Sequence, residues 1–560
     1  MKRRGRWIIA GAVFLAAAGL VIYLIKSGST VKEIAELASQ GGERELRVPF
    51  REPSDAPRIL IFALDGVGKN EFDQAILSGK TPSIASLLGS HAGEGLFEHG
   101  YNARDVVAIL PSTTMAAWSS IFTGEPAART GVSGNEWFAR DEMRFYAPAP
   151  VSVTDNNHSL KMLTDGLVGN AIKTPTLYEV ADIRSYVSLA AVYRGADLYT
   201  TPKPSSITAL FAGVAKGVTG DKSVSQEAYS EVDRESVENL LQAIDKHGLA
   251  NLQVVYFPGI DLYSHGADDP LNKQQIYLQE VLDPAIGQVL EAYEERDALS
   301  DTYVIFIADH GHTPVLDDDR HSLATEGDDE PPALIEKAGF RIREFSIDLD
   351  DDEQDYQAAL AYQGAIAYVY LADRSTCPRE GDRCDWKRGP RLEEDVMPVV
   401  RAFYNANETG EGSPQLKGTL DLIFAREPRS TDEEAVAFKI FDGNQLVPIS
   451  DYLKLHPRPD LIRLEERLVG LAAGPYGHRA GDILLLARSG LERPVEDRYY
   501  FSGLYRSWHG SPEAQDSYVP FVLARKADSG QRLRDVMNNV MGQQPSQLNL
   551  APLVRALISK

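Results

Sequence analysis

The apolar positions of this chain fall into short continuous runs, and the stretches between them repeat with helical spacing. The runs at 58–64 (RILIFAL), 251–257 (NLQVVYF) and 302–308 (TYVIFIA) are too uniformly apolar for half-exposed strands. They have the pattern of strands buried on both faces of a parallel sheet. Residues 186–192 (YVSLAAV) and 482–487 (DILLLA) give two more candidate strands. Helical patterns run from Ser236 to His247 and from Asn272 to Arg296. Strands alternating with helices predict an α/β fold around a mostly parallel sheet flanked by helices.

Residues 315–480 break this rhythm. They carry the acidic tracts Asp317 to Asp319 and Asp350 to Asp352, both Cys residues, and joins rich in Pro and Gly. They read as a smaller inserted lobe, which leaves 58–314 and 481–560 for the catalytic domain. The acidic tracts lack the spacing of a calcium loop and read as solvated surface.

A different pattern occupies the first residues. Lys2, Arg3, Arg4 and Arg6 precede an uncharged apolar run from Trp7 to Ile25. That run suits one bilayer-spanning helix, and the basic residues before it place the N-terminus inside. Apolar residues continue past Ala16 to Ala18, which favours an anchor over a cleaved signal peptide. Residues 1–28 are therefore expected to anchor the protein, with 29–57 as a polar linker and everything beyond outside the cytoplasm. In such a compartment, Cys377 and Cys384 are expected to form a short-loop disulfide.

Composition adds one exclusion. The chain has 560 residues, 43% apolar and 25% charged, with a net charge of −24. So acidic a surface repels nucleic acid phosphates, and a nucleic acid duplex is not an expected partner. A site that handles phosphate here must obtain its positive charge locally, and metal ions are the usual source.

Seven residues then stand out: Asp65, Thr114, Asp261, His265, Asp309, His310 and His509. Asp65 and Asp309 end two of the predicted strands, and Asp261 follows a third by a few residues. In an open α/β sheet, ligands bind beyond the carboxyl ends of the strands. Asp261 and His265 are one helical turn apart, so both side chains can reach one ion. Thr114 follows Pro111 and Ser112 at a predicted helix entry, where N–H groups and partial positive charge favour a phosphate. Three carboxylates, three imidazoles and a hydroxyl are the inventory of a two-metal hydrolytic centre with a threonine nucleophile. The mixed donor set suits two divalent cations, zinc first, with manganese or iron as the alternatives.

The motifs ALDGVG, PSTTMAAWSSIFTG, TGVSGNEW, PGIDLYSHG, ADHGH and WHGSP resemble those of the alkaline phosphatase superfamily, in its type I phosphodiesterase/nucleotide pyrophosphatase branch. The resemblance implies an alkaline-phosphatase-like fold. It implies one metal on Asp261, His265 and His509, and another on Asp65, Thr114, Asp309 and His310. It assigns Asn135 to a phosphoryl oxygen and implies a phosphothreonine intermediate. Departures narrow the chemistry. Thr114 followed by Ala116 and Trp118 does not match the sulfatase pattern. Ala116-Ala117-Trp118 replaces the Pro-Asn-His of many nucleotide pyrophosphatases. Val192-Tyr193-Arg194 stands where some monoesterases carry Lys-x-Arg, so Arg194 is expected to contact phosphate and the missing Lys favours diesters.

The expected activity is hydrolysis of a small-molecule or lipid-derived phosphate diester. The alternatives are a phosphomonoesterase of the same fold and a membrane-anchored transferase of phosphoethanolamine type. His91, His99, His158, His247, His321 and His456 lack partnered motifs and read as structural. His312 and His478 lie close enough to matched segments to support the ligands.

Overall fold

The computed structural model describes residues 42–153, 157–203, 205–206, 226–323, 331–345 and 355–559. The three strongest apolar runs form the centre of a ten-stranded sheet. From one edge its strands are Glu43–Glu45, Leu198–Thr200, Ser185–Ser188, Leu252–Phe257, Ile59–Leu64, Tyr303–Ala308, Phe521–Ala524, Gly100–Asn102, Leu96–Phe97 and His91–Gly93. The five from Leu198–Thr200 to Tyr303–Ala308 are parallel, and the other pairings are antiparallel. The sheet is thus mixed, with a parallel centre.

Ile59–Leu64, Leu252–Phe257 and Tyr303–Ala308 are buried throughout. Burial on both faces is what continuous apolar runs demand, because no exposed position remains for a polar residue. These strands end level. Leu64 pairs with both Phe257 and Ala308. Whatever follows each strand therefore starts from the same edge of the sheet.

A second, six-stranded antiparallel sheet forms the lobe: Ala358–Tyr362, Ile366–Leu371, Ile483–Ala487, Leu420–Ala425, Lys439–Phe441 and Leu446–Val447. Separate apolar clusters pack around it, one with Phe424 and Leu484 and another with Val400 and Phe403. The expected boundary at 480/481 is corrected here. Ile483–Ala487 lies between two lobe strands. An apolar run reveals burial but not which sheet it joins. The lobe's neck is a two-stranded ribbon, Thr313–Pro314 against Ser507–Trp508. The chain rejoins the main sheet at Phe521–Ala524.

The expected linker also needs correction from residue 42 onward. Glu43–Glu45 is an edge strand, and the Leu46 N–H donates to Asp197 O at 2.8 Å. Arg51 bridges Asp182 and Asp197. Ion pairs and strand pairing bind this polar stretch to the domain. The expected anchor and residues 29–41 lie outside the described residues, as does the tract Asp350 to Asp352. Among the described residues, no helix is long and apolar enough to cross a membrane. Cys377 and Cys384 are joined in a disulfide, as their spacing suggested.

Candidate active site

Asp65 follows Leu64 directly, and Asp309 follows Ala308, so the level strand ends set the two side by side. The Asp65 N–H donates to Phe257 O at 3.2 Å, and the Gly66 N–H donates to Asp309 Oδ1 at 2.9 Å. After the third strand the chain turns into the helix Gly259–Gly266, which carries Asp261 and His265 on one face. His265 Nε2 lies 3.4 Å from Asp261 Oδ2. Thr114 is the first residue of a fully buried helix, Thr114–Ile121. Thr113 is its N-cap, so Thr114 stands at the helix N-terminus as expected, and the Ser112 hydroxyl donates to Ser511 O at 2.9 Å. Thr114 Oγ1 lies 3.3 Å from His310 Nε2.

Six of the seven sequence-marked residues form two sets. Asp65, Asp309 and His310 bring ligand atoms within 4.8 Å of one another, and so do Asp261, His265 and His509. The hydroxyl of the seventh, Thr114, joins the first set through His310. The His310 and His509 rings stack at 3.6 Å between centroids, so the sets adjoin.

The backbone fixes the imidazoles. Nδ1 of His265, His310 and His509 faces the carbonyl oxygens of Ser507 at 2.8 Å, Gly311 at 3.0 Å and Ser112 at 2.9 Å. A carbonyl only accepts, so each Nδ1 carries a proton and each Nε2 is turned to the cluster. This is how a protein prepares histidines to ligate a metal through Nε2.

The carboxylates meet the same need. Asp65 Oδ1 and Asp309 Oδ2 are buried without a hydrogen-bond partner. Burial and the neighbouring Asp309 hold the Asp65 carboxyl well above its usual range, and burial pushes Asp309 up as well. Burial also opposes the charge on Asp261, but His265 and His312 beside it hold its carboxyl well below the usual range. Burial pushes His310 down to about 3 and His509 well below an ordinary histidine. Asp65 and Asp309, crowded together and held up by burial, beside imidazoles that burial keeps neutral at His310 and His509, fit divalent cations, which reverse the burial penalty. The donor set therefore fits two such ions.

Asn135 Oδ1 accepts the Met115 N–H at 3.0 Å, which sets its side chain beside Thr114. Arg194 is not brought to the cluster, and the expectation of a phosphate contact is corrected. Its Nε donates to Glu179, its Nη1 to the carbonyls of Gly169 and Ile172, and its Nη2 to Thr174 O and Glu179. All five N–H donors are spent on the structure around the helix Leu177–Ala181.

Three residues support the ligands, two of which were not assigned from sequence. His312 Nε2 lies 2.7 Å from Asp261 Oδ1, and its Nδ1 lies 3.0 Å from Ser507 Oγ. Its place in ADHGH was the available signal, and only its role was left open. The Tyr256 hydroxyl donates to Asp65 Oδ2. Asp516 holds the His509 loop, accepting the Ser511 N–H at 3.0 Å and the Thr313 hydroxyl at 2.7 Å. Neither Tyr256 nor Asp516 stands in a motif that marks it.

The profile of the type I phosphodiesterase / nucleotide pyrophosphatase family matches residues 59–375, more than half of the chain. The chain belongs to this family. It is accordingly a phosphoric ester hydrolase, of a family that typically depends on divalent metals. No curated protein matches the sequence. Among solved structures it is similar to human ectonucleotide pyrophosphatase / phosphodiesterase 5, at 14% identity and a TM-score of 0.48, covering 90% of this chain and 95% of that one. The murine protein gives 12% identity, a TM-score of 0.46 and the same coverage. An inactive form of the murine protein in complex with AMP gives 13% and 0.47, again with the same coverage. At these identities and scores the likenesses fix neither ligand nor activity for this family member.

Proposed function

We propose that the protein is a two-metal phosphodiesterase in which Thr114 is the nucleophile. The observation that carries this reading is the Thr114 hydroxyl 3.3 Å from His310 Nε2, with the His310 ring stacked on His509 of the adjoining set. Asp65, Asp309, His310 and Thr114 would hold one divalent cation, and Asp261, His265 and His509 the other. The donor chemistry favours zinc. When bound, such cations supply positive charge to the phosphoryl oxygens and lower the pKa of a coordinated hydroxyl.

Thr114 Oγ1 bonds to phosphorus, and one ester oxygen leaves and gains a proton. The phosphoryl group is then covalently held by Thr114 and still carries the second ester group. Water attacks the same phosphorus, and the Thr114 oxygen leaves. Asn135 donates Nδ2–H to a non-bridging oxygen, where negative charge develops. Among the described residues, no Lys or Arg side chain is hydrogen-bonded or ion-paired to the seven site residues. The match to the type I phosphodiesterase family supports a diester over a monoester. Nucleotide esters and lipid head-group esters are the two substrate classes to compare.

The apolar run Trp7 to Ile25 would tether the catalytic domain outside the cytoplasm, and the Cys377–Cys384 disulfide supports an oxidising compartment. A C-terminal reporter active only after export tests this placement, and a reporter active in the cytoplasm overturns it. The test of function compares bis(p-nitrophenyl) phosphate with p-nitrophenyl phosphate, using full-length protein with zinc and its Thr114→Ala variant. Preference for the diester, lost in the variant, supports the reading. Preference for the monoester, or a variant at the wild-type rate, contradicts it.

A further inference from the structure

The inserted lobe reaches the active site through one turn. Gln363, Gly364 and Ala365 connect Ala358–Tyr362 to Ile366–Leu371. This turn wedges between the loop that carries Asn135 and the loop that carries His509. Gln363 is fully buried. Its Oε1 accepts the Asn135 N–H at 2.7 Å, and its Nε2 donates to Glu136 O. The Gln363 backbone N–H closes the hairpin by donating to Ile366 O at 2.7 Å. On the other side, the Ala365 N–H donates to His509 O at 3.0 Å.

Neighbouring groups tighten the joint. The buried Glu136 carboxylate accepts N–H groups from Tyr362 at 2.7 Å, Val151 at 3.0 Å and Ser152 at 2.9 Å. The chains approach too closely for side chains. A β-carbon at Gly134 would lie 2.1 Å from Gln363 Oε1, and one at Gly364 would lie 1.5 Å from Trp508 Nε1.

The direction of these bonds is informative. The hairpin is closed by backbone alone, whereas both side-chain hydrogen bonds of Gln363 leave the lobe. They end on Asn135 and the residue after it. Met115 fixes the Asn135 side chain through Oδ1, and Gln363 fixes its main chain. With both ends held, the Nδ2 donors keep one direction.

We propose that Gln363 is a positioning residue for phosphoryl transfer, acting through Asn135. The inserted lobe then supplies part of the catalytic geometry. The proposal rests on the reading of Asn135 as the phosphoryl-binding amide.

The test is a double-mutant cycle in the full-length, zinc-loaded protein with bis(p-nitrophenyl) phosphate, using Gln363→Ala, Asn135→Ala and the double variant. Asn135→Ala should lower kcat by roughly 100-fold, the loss typical of one oxyanion donor. Gln363→Ala should lower kcat by about 10- to 100-fold, as removal of a supporting hydrogen-bond partner typically does. Zinc content per chain should be unchanged and KM nearly so. In the Asn135→Ala background the same substitution should have almost no further effect. Gln363→Met fills the volume without the two bonds and should behave like Gln363→Ala; it carries the test if the alanine variant does not fold.

A merely structural role predicts a lower thermal midpoint with kcat per zinc-loaded chain untouched, or an equal loss in both backgrounds; either outcome overturns the proposal. Asn135→Ala at the wild-type rate would overturn the Asn135 reading and the proposal with it. Gln363→Ala at the wild-type rate beside a slow Asn135→Ala would overturn the proposal alone.

Discussion

The backbone N–H of Met115 donates to Asn135 Oδ1 at 3.0 Å, which ties the amide to the residue immediately after Thr114. With its oxygen so occupied, the amide keeps its N–H groups for the phosphoryl oxygen that the proposed function assigns to it. Asn135→Asp replaces those donors with a second acceptor and a negative charge. It should lower kcat/KM for an anionic diester more than Asn135→Ala does, with metal content unchanged. Steady-state kinetics on both variants check this order.

Metal removal should abolish turnover and weaken the fold together. Asp65 Oδ1 and Asp309 Oδ2 have no hydrogen-bond partner. Without cations the buried carboxylates must stay protonated or remain charged without compensation. Dialysis against a chelator should eliminate diester hydrolysis and lower the thermal midpoint near neutral pH, and added zinc should restore both. A chelated protein at full activity would contradict the two-metal reading.

His312 should matter through Asp261. Its Nε2 is 2.7 Å from Asp261 Oδ1, and removing such a partner typically costs about 10- to 100-fold in metal affinity. His312→Ala should lose zinc at lower chelator concentration than the wild type, with near-normal turnover at saturating zinc. Competition against a fluorescent zinc chelator measures the shift.

Arg194 should behave differently from every site residue. Its guanidinium serves three backbone carbonyls and Glu179. Arg194→Ala should lower stability by about 2 kcal/mol, the sum of a few modest hydrogen bonds. The kcat/KM of the folded fraction should be unchanged. Denaturant unfolding beside kinetics separates the two effects.

A pH effect follows from Asp233, which lies beneath the helix carrying Asp261 and His265. Asp233 accepts the Gly259 N–H at 3.0 Å and the Tyr277 hydroxyl at 2.8 Å, yet burial pushes it from 3.8 up to about 7. Between those values the folded chain holds a proton that the unfolded chain has released. This contribution to stability is therefore full at low pH, is lost as pH rises through that window, and is absent above it. Asp233→Asn should remove that slope from the pH profile of the unfolding free energy.

Much of the site was legible because its residues are tied to features that sequence displays. Asp65 and Asp309 follow apolar runs, and the spacing of Asp261 and His265 is one helical turn. The strand at 483–487 was placed in the wrong sheet because continuous apolarity reports burial on two faces without naming the neighbours. Residues 42–57 were read as linker because polar composition hides ion pairs with distant partners such as Asp197. Arg194 was misassigned for a related reason, since its carbonyl partners are set by tertiary structure. Tyr256 and Gln363 act through bonds to Asp65 and to Asn135 and Glu136, all far away in sequence, and Asp516 joins the His509 loop to Thr313; no local pattern announces such bonds.

The central claim is that Thr114 takes the phosphoryl group before water does. The stereochemical course at phosphorus tests it most directly, with a P-chiral p-nitrophenyl phosphorothioate diester hydrolysed by the zinc-loaded protein in isotopically labelled water. Two successive in-line displacements, the first by Thr114 and the second by water, predict net retention of configuration. Net inversion would mean that water attacks the substrate directly and that Thr114 is not the nucleophile.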